Sequence, residues 1–315
     1  MPNGGEYYYF DSSTKKLERS NNDIEKPGNK DAIGATLASL YDSKKSDDDA
    51  YGMWNDQPSK EHGAGAIYAH SKGVFHTDEK QGFYLIHSMP SFPTTHDEKY
   101  QQLPGGKFGQ TFMCMTLKTS EFDKLGEDLQ TMHAYFFDSK FGIDSIPAMK
   151  NASEKVENKE EQAKETVYTT VGGEKFTHFS KGRYWGRQLY EDLVAEKLGA
   201  DLITETWQNG ASKNVVPTFC EGNDYNHTIV NVMGLKLGDD EWKETQDHSK
   251  WAITSKGFDR DGSKGAMACI GGINRQFSQS KRGGATMCIE NFDLNSELFD
   301  AITSYEDCNG DEVKA

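Results

Sequence analysis

Apolar positions along the 315-residue chain fall in short runs broken by Gly and polar turns, with few helical stripes between them. Residues 6–10 (Glu-Tyr-Tyr-Tyr-Phe) predict a strand entering the core, and Ile33, Leu37, Leu40 and Tyr41 stand at helical spacing over 31–41. Residues 43–49 form a solvated charge run. The stretch 64–70 predicts a strand, continued by Gly73-Val74-Phe75. A polar turn at 78–81 and a second strand at 82–87 complete a hairpin. A strand over 108–117, a helix over 120–129 capped by Ser120, and a short aromatic strand over 133–137 follow. Residues 150–166 are rich in Lys and Glu with almost nothing apolar, and predict an exposed connection. It divides the chain into halves 1–165 and 166–315. In the second half, Trp185, Leu189, Leu193 and Leu198 lie on one face of a helix over 184–198, stopped by Gly199. Strands are predicted over 201–207, 214–217, 231–235, 265–275 (with a turn) and 285–290, and a closing helix over 294–305.

Composition narrows the fold class. Gly is frequent at 31 and Pro scarce at 8, which suits a turn-rich α/β or α+β protein, and 17 Phe, 14 Tyr and 5 Trp supply a sizeable core. The formal net charge of −15 repels a polyanion at neutral pH unless basic groups cluster locally. In acid the nine His gain charge and many of the 50 carboxylates lose theirs, which favours an acidic working compartment. The five cysteines, Cys114, Cys220, Cys269, Cys288 and Cys308, include no C-x-x-C pair, which argues against zinc. Two disulfides and one leftover thiol fit a secreted protein, and five reduced core thiols are the alternative. Asn151 and Asn226 each begin an N-x-S/T glycosylation triplet. The start, Met1-Pro2-Asn3-Gly4-Gly5, shows no signal peptide, which leaves a cytosolic protein or a mature form without its signal. No stretch approaches the length of a transmembrane helix, so no membrane partner is expected.

One short word occurs twice: His70-Ser71-Lys72 and His248-Ser249-Lys250, each followed by a hydrophobic, Gly-bearing stretch. Residues two apart on an extended segment point to the same side, so each copy pairs an imidazole with a fixed positive charge. Two copies face to face offer two imidazoles and two ammonium groups, a phosphodiester site that needs no metal or other cofactor. Each half repeats the same plan of strand, H-S-K, polar turn, strand and helix.

The flanking residues carry a resemblance. Ala69-His70-Ser71-Lys72-Gly73-Val74, the stretch from Gly82 to Pro93, and Phe108-Gly109-Gln110-Thr111-Phe112 are similar to first-half signatures of the deoxyribonuclease II family. His178-Phe179-Ser180-Lys181, Asp247-His248-Ser249-Lys250-Trp251, Asn274-Arg275 and the stretch from Arg282 to Cys288 resemble its second-half signatures, and Tyr305-Glu306-Asp307-Cys308-Asn309-Gly310 its C-terminal end. The resemblance implies two phospholipase D-like sandwich halves, central β layers flanked by helices, related by a pseudo-twofold axis with the H-x-K motifs meeting in the cleft. It implies an acid, metal-independent endonuclease of lysosomes or secretions that acts on double-stranded DNA with little sequence preference and leaves 3′-phosphate ends. By position it implies disulfides Cys220–Cys308 and Cys269–Cys288, with Cys114 unpaired. The chain departs from the family at 102–107, where a usual histidine is missing, and at Ala252, where a cysteine is usual. The superfamily's aspartate after the lysine has a candidate in Asp78, whereas after Lys250 no carboxylate appears before Asp259.

The expected roles follow. His70 attacks phosphorus to form a phosphohistidine, and His248 protonates the leaving 5′ oxygen and then activates water. Lys72 and Lys250 hold the non-bridging oxygens, and Asn274 donates an amide hydrogen bond to them. His87 orients His70 or touches phosphate, or is a core histidine. Arg275, Lys281 and Arg282 grip the DNA backbone away from the cut. His178 and Lys181 are read as structural. Two alternatives stand beside the nuclease: an inactive secreted relative that binds nucleic acid or host proteins, and a phosphodiesterase for lipid head groups, disfavoured by the lack of an amphipathic membrane-docking segment. A monomer and a homodimer are both compatible with the chain.

Overall fold

Strands from the first and second parts of the chain build separate sheets. The computed structural model describes residues 5–26, 31–42, 47–59, 63–98, 100–101, 106–209, 214–222, 226–255 and 265–315. Asp259, residues 102–105 and residues 43–46 of the charge run lie outside them. Near the start, β1 (Tyr8–Tyr9) and β2 (Glu18–Arg19) form a two-residue ladder on the surface, with Tyr9 exposed. The strand expected at 6–10 therefore does not enter the core. Helix α1 (Ala32–Asp42) is the one its spacing predicts: Asp31 accepts from the Gly34 amide at 2.8 Å, and Ile33, Leu37 and Leu40 are buried.

The first sheet joins β3 (Asp49–Asn55), β4 (Lys72–Asp78), β5 (Gln81–His87), β6 (Phe112–Lys118) and β7 (Phe136–Phe141) in the order β6-β5-β4-β3-β7, all antiparallel. Asp78 makes the tight turn of the β4–β5 hairpin by accepting from the amides of Lys80 (2.6 Å) and Gln81 (2.9 Å). The chain leaves β6 into α2 (Thr119–Met132) and leaves β7 into α3 (Pro147–Ser153).

The second sheet joins β8 (Ala163–Thr169), β9 (Lys175–Lys181), β10 (Leu202–Thr206), β11 (Ile229–Leu237), β12 (Asp240–Lys243), β13 (Lys250–Thr254), β14 (Met267–Gly271), β15 (Gly284–Glu290), β16 (Ile302–Glu306) and β17 (Glu312–Lys314). Its order is β17-β16-β11-β10-β13-β14-β15-β9-β8, with β12 paired to β11. A wide-turned helical segment, Tyr190–Ala195, runs into α4 (Glu196–Leu198), and α5 (Phe292–Asp300) follows β15. The antiparallel run β6-β5-β4-β3 thus recurs as β15-β14-β13-β10. In both runs the lysine of H-S-K opens the third strand named, and a helix follows the first. The fold is mixed α+β.

Helix α2 lies where the sheets meet. Its Phe122, Leu125, Leu129 and Met132 share one core with Trp54, Phe75 and Met115 of the first sheet and with Tyr168, Phe176 and Met287 of the second. Asp128 of α2 accepts from Tyr168 Oη at 2.7 Å and Thr166 Oγ1 at 2.9 Å, and pairs with His178 Nδ1 at 2.7 Å, so a buried carboxylate is fully engaged by the second sheet. Both disulfides join the pairs implied above, Cys220–Cys308 and Cys269–Cys288, and Cys114 is a free thiol.

Several local expectations need correction. Residues 64–70 are turn and loop, and the strand begins at Lys72. The polar stretch 150–166 contains the end of α3 and the first residues of β8, an edge strand whose half-exposed positions explain its polarity. Strand β8 therefore runs across position 165. The helix expected over 184–198 is broken at Gly186, in the left-handed region at φ 74°, after a short turn Arg183–Trp185. Residues 214–217 contribute an isolated bridge, Val215 to Gln276, and no strand. The closing helix ends at Asp300, and Ile302 starts a strand instead.

Candidate active site

Each H-S-K motif is tethered to the opposite half of the chain. The His70 amide donates to Gly283 O at 2.9 Å, and its ring nitrogen Nδ1 lies 3.2 Å from Gln279 Oε1. Reciprocally, the His248 amide donates to Gly109 O at 2.8 Å, and its Nδ1 lies 3.2 Å from Gln110 Oε1. A glutamine carboxamide thus orients the Nδ1 side of each ring. Close backbone approach makes this docking possible. A Cβ on Gly109 would stand 2.8 Å from the Asp247 carboxylate, and one on Gly272 would stand 2.8 Å from His70 O.

The two lysines follow directly, and the charges of the two motifs reach across to one another. Lys72 and Lys250 are 3% and 1% exposed. The charge of each bears on both imidazoles, and Lys72 repels Lys250. Burial is the largest influence on all four groups and opposes positive charge. It holds His70 well below its ordinary pKa, against an opposing pull from Asp56, and pushes His248 down to about 3, with Lys250 and Lys72 adding to the shift. Both rings are neutral in the empty site at mildly acidic pH.

The lysines differ in their partners. Lys72 Nζ is ion-paired with Asp56 Oδ1, whose other oxygen accepts from Arg282 NH2 at 2.8 Å. Burial pushes the Asp56 carboxyl up, but the surrounding groups, Lys72 first, then His70 and Arg282, hold it far below the usual range. Lys250 Nζ donates to its own His248 O and is pushed well below its ordinary pKa, first by burial and then by Lys72. Glu205, fully buried beside it, has both carboxylate oxygens without a hydrogen-bond partner and is pushed well above its ordinary pKa by burial and by Asp247.

The remaining predicted residues divide. Asn274 is buried, its Oδ1 lacks a hydrogen-bond partner, and its turn follows Gly272, which abuts the first motif. Lys281 is exposed on the loop that carries Gln279 and Arg282. Arg282 turns inward, donating from Nε to Tyr68 O at 3.0 Å as well as to Asp56, so its guanidinium is committed to the protein. Arg275 is a clear correction. It is 1% exposed, paired with Glu191 at 2.6 Å, hydrogen-bonded to Asn231 and to Pro217 O, and holds the second half together instead of gripping DNA. His87 is fully buried, stacked on Phe112 and edge-on to Phe92, with its pKa pushed down to about 3 by burial first and by Lys72, so it presents no surface to a ligand in this structure. Asp78 serves the hairpin turn and does not meet Lys72.

Asp56, Gln279 and Glu205 have no signal of their own in the sequence, and Gln110 stands there only within the Phe108–Phe112 signature, without a role. Asp56 follows β3, whose Tyr51-Gly52-Met53-Trp54 run bounded by polar residues is the signal of a central buried strand. Lys181 is structural as expected, and its task is specific. Its fully buried Nζ donates to the carbonyls of Gln279 (2.9 Å), Ser280 (3.1 Å) and Arg282 (2.6 Å), clamping the loop that positions His70 and Asp56. Burial lowers its pKa to about 7, so it stays charged in acid. Lys181→Met, which leaves three carbonyls without a donor, is expected to lower unfolding free energy by roughly 2 kcal/mol or more in urea titrations at pH 5 and to reduce activity with it.

Comparisons with known proteins place the chain in a family. The Deoxyribonuclease II family model matches residues 1–308. The chain belongs to the deoxyribonuclease II family. Among curated members it is 33% identical to plancitoxin-1 of Acanthaster planci over 307 residues, covering 95% of this chain and 82% of the relative. It is 30% identical to human deoxyribonuclease-2-beta (97% and 83% covered) and 30% identical to mouse deoxyribonuclease-2-alpha (92% and 80% covered). Membership embraces both H-S-K motifs, both tethering glutamines and both disulfides, since all fall inside the matched span.

Proposed function

We propose that the chain is an acid endonuclease that hydrolyses DNA phosphodiester bonds at the His70–Lys72–His248–Lys250 cluster without a metal, leaving 3′-phosphate ends. The observation that carries this reading is the reciprocal tethering of two buried imidazole–ammonium pairs whose charges act on one another. A phosphodiester entering there meets Lys250, and Lys72 behind it, as counter-charges for its non-bridging oxygens and for the five-coordinate state. The anion also offsets the ammonium repulsion that adds to burial in disfavouring charge on the rings, so one imidazole takes up a proton as substrate binds. His70, the more deeply buried and surrounded by fixed charge, is the nucleophile. His248, partly exposed and open to solvent protons, is the acid that protonates the 5′ oxygen and the base that then activates water. Asn274 donates to the phosphate, and Lys281 meets the DNA backbone at the rim. Two phospholipase D-like halves related by a pseudo-twofold axis, divided near 165, account for the recurring strand order. The two disulfides fit a secreted or lysosomal enzyme.

Acid dependence follows from the same groups. His248 has a folded pKa of about 3 and an unfolded value of ~6.5. The folded state thus binds fewer protons, and the empty site loses stability as pH falls through this window. A bound anion reverses the sign by favouring the imidazolium.

The test is plasmid incubated with the protein in EDTA across pH 4–8. Nicked and linear products rising as pH falls, with ends that a polymerase extends only after phosphatase treatment, are expected. Supercoiled plasmid left intact at pH 5 sinks the proposal and favours a family member that binds nucleic acid without cutting it.

A further inference from the structure

The mechanism leaves one feature beside His248 unused. Trp207, at the end of β10, stands edge-on to the His248 ring with centroids 4.9 Å apart and planes at 72°. Phe108 meets Trp207 in turn at 4.6 Å and 88°. Phe108 is 39% exposed and Trp207 is partly exposed, so the pair presents apolar ring surface to solvent at the mouth of a charged site. The two rings come from opposite halves of the chain, and backbone bonds hold both in place. Gly109, next to Phe108, donates to Gln246 O at 2.9 Å and accepts from the His248 amide at 2.8 Å, while Trp207 O accepts from Gln276 Nε2 at 3.4 Å.

We propose that Trp207 and Phe108 form a stacking shelf for the nucleobase of the nucleotide adjacent to the phosphate being cleaved. The inference rests on the phosphodiester site described above and names what that site does with the neighbouring base. Every nucleobase has a π face, and an exposed aromatic ring recovers buried area by stacking on it regardless of sequence. Trp207 touches an imidazole that acts on the phosphate, so a base one nucleotide away lies within reach. A base inside a duplex is already covered on both faces by its neighbours, so the shelf engages a strand that is locally unstacked, frayed or single. The site therefore selects by strand flexibility and not by base identity.

Two ligands that differ only by the base, deoxythymidine 3′-phosphate and deoxyribose 3-phosphate, test this by calorimetric titration at pH 5; neither contains a bond to cleave. The wild-type protein is expected to bind the nucleotide roughly tenfold more tightly, the scale of one base–aromatic stack. Trp207→Ala is expected to abolish the difference and Phe108→Ala to shrink it, while Trp207→Phe retains most of it. Equal binding of the two ligands by the wild-type protein, no binding of the nucleotide, or a preference that survives in Trp207→Ala would each overturn the shelf. A Trp207→Ala protein with slowed turnover but an unchanged binding ratio would make the ring only a prop for His248, which overturns it as well. A protein that discriminates in binding yet leaves plasmid intact keeps the shelf and removes the nuclease reading. One that nicks plasmid but binds both ligands alike does the reverse.

Discussion

His248→Ala is expected to reduce cleavage of plasmid DNA at pH 5 by roughly 10²–10⁴-fold, the range for loss of a positioned general acid and base, while the protein remains folded. The ring is partly exposed, and its side-chain hydrogen bond is with Gln110, so its loss leaves no large cavity. The variant also separates the two chemical steps. With His70 as nucleophile, His248 serves twice, protonating the leaving oxygen and later activating water. A substrate whose leaving group needs no proton, such as a nitrophenyl phosphodiester, bypasses the first task but not the second. His248→Ala is therefore expected to accumulate a phosphoryl adduct on His70 with such a substrate, seen as an intact-mass increase that maps to the peptide containing residue 70. His70→Ala should accumulate nothing. An adduct on His248 in the His70→Ala protein would exchange the two roles, and near-normal plasmid cleavage by His248→Ala would remove the assignment altogether.

The centre of this site was legible because its chemistry is written locally. A histidine, a spacer and a lysine on an extended segment stay on one side wherever the strand goes, and a second copy supplies the partner. The surrounding support was not legible, because it depends on contacts across long stretches of chain. Gln279 lies 209 residues from the histidine it holds, and Gln110 lies 138 from His248. Nothing in a glutamine's neighbours along the chain announces such a contact. Arg275 shows the opposite error. A positive charge after a Gly-Gly turn reads as a surface grip, yet Glu191 and Asn231, from 84 and 44 residues away, neutralise and bury it. Asp78 is the candidate that the sequence offers because it follows Lys72 along the chain. The antiparallel register that places Asn55 opposite Lys72 brings Asp56 to the ammonium instead.

The fold divides along the same line. Helix α1 buries one face and follows its periodicity, and the β4–β5 hairpin, with β4 buried on both faces, follows its apolar runs and polar turn. The misread elements are those whose environment is set from outside. Edge strand β8 is polar because half of it faces water. Residues 6–10 are aromatic but pair only with a two-residue strand at the surface. The segment 184–198 has helical spacing, yet Gly186 adopts a left-handed conformation and breaks it in two.

Asp56→Ala is expected to cost about 3–5 kcal/mol of unfolding free energy in urea at pH 5, the scale for breaking a buried ion pair on one side, and thus a large share of the ~5–15 kcal/mol of a typical domain. The carboxylate's side chain is 4% exposed and Lys72's is 2%, so water cannot replace it. Its removal leaves Lys72 and Arg282 uncompensated beside Lys250. Acid does not mimic the mutation. The folded pKa of Asp56 is depressed, so the stability it contributes is present above the unfolded value of ~3.9 and is lost only as pH falls through the much lower folded value. The pair therefore stays ionised where surface carboxylates begin to protonate, as an acid enzyme requires. A second substitution separates folding from chemistry. Asp56→Ala combined with Lys72→Met removes the more deeply buried of the two stranded charges and leaves Arg282, whose side chain is 16% exposed, so it is expected to recover part of the stability. Activity is expected to stay lost, since the ammonium that steadies the phosphate is gone. A single Asp56→Ala variant within 1 kcal/mol of wild type would show that the cluster is hydrated in solution, and a double variant that regains cleavage would take Lys72 out of the mechanism.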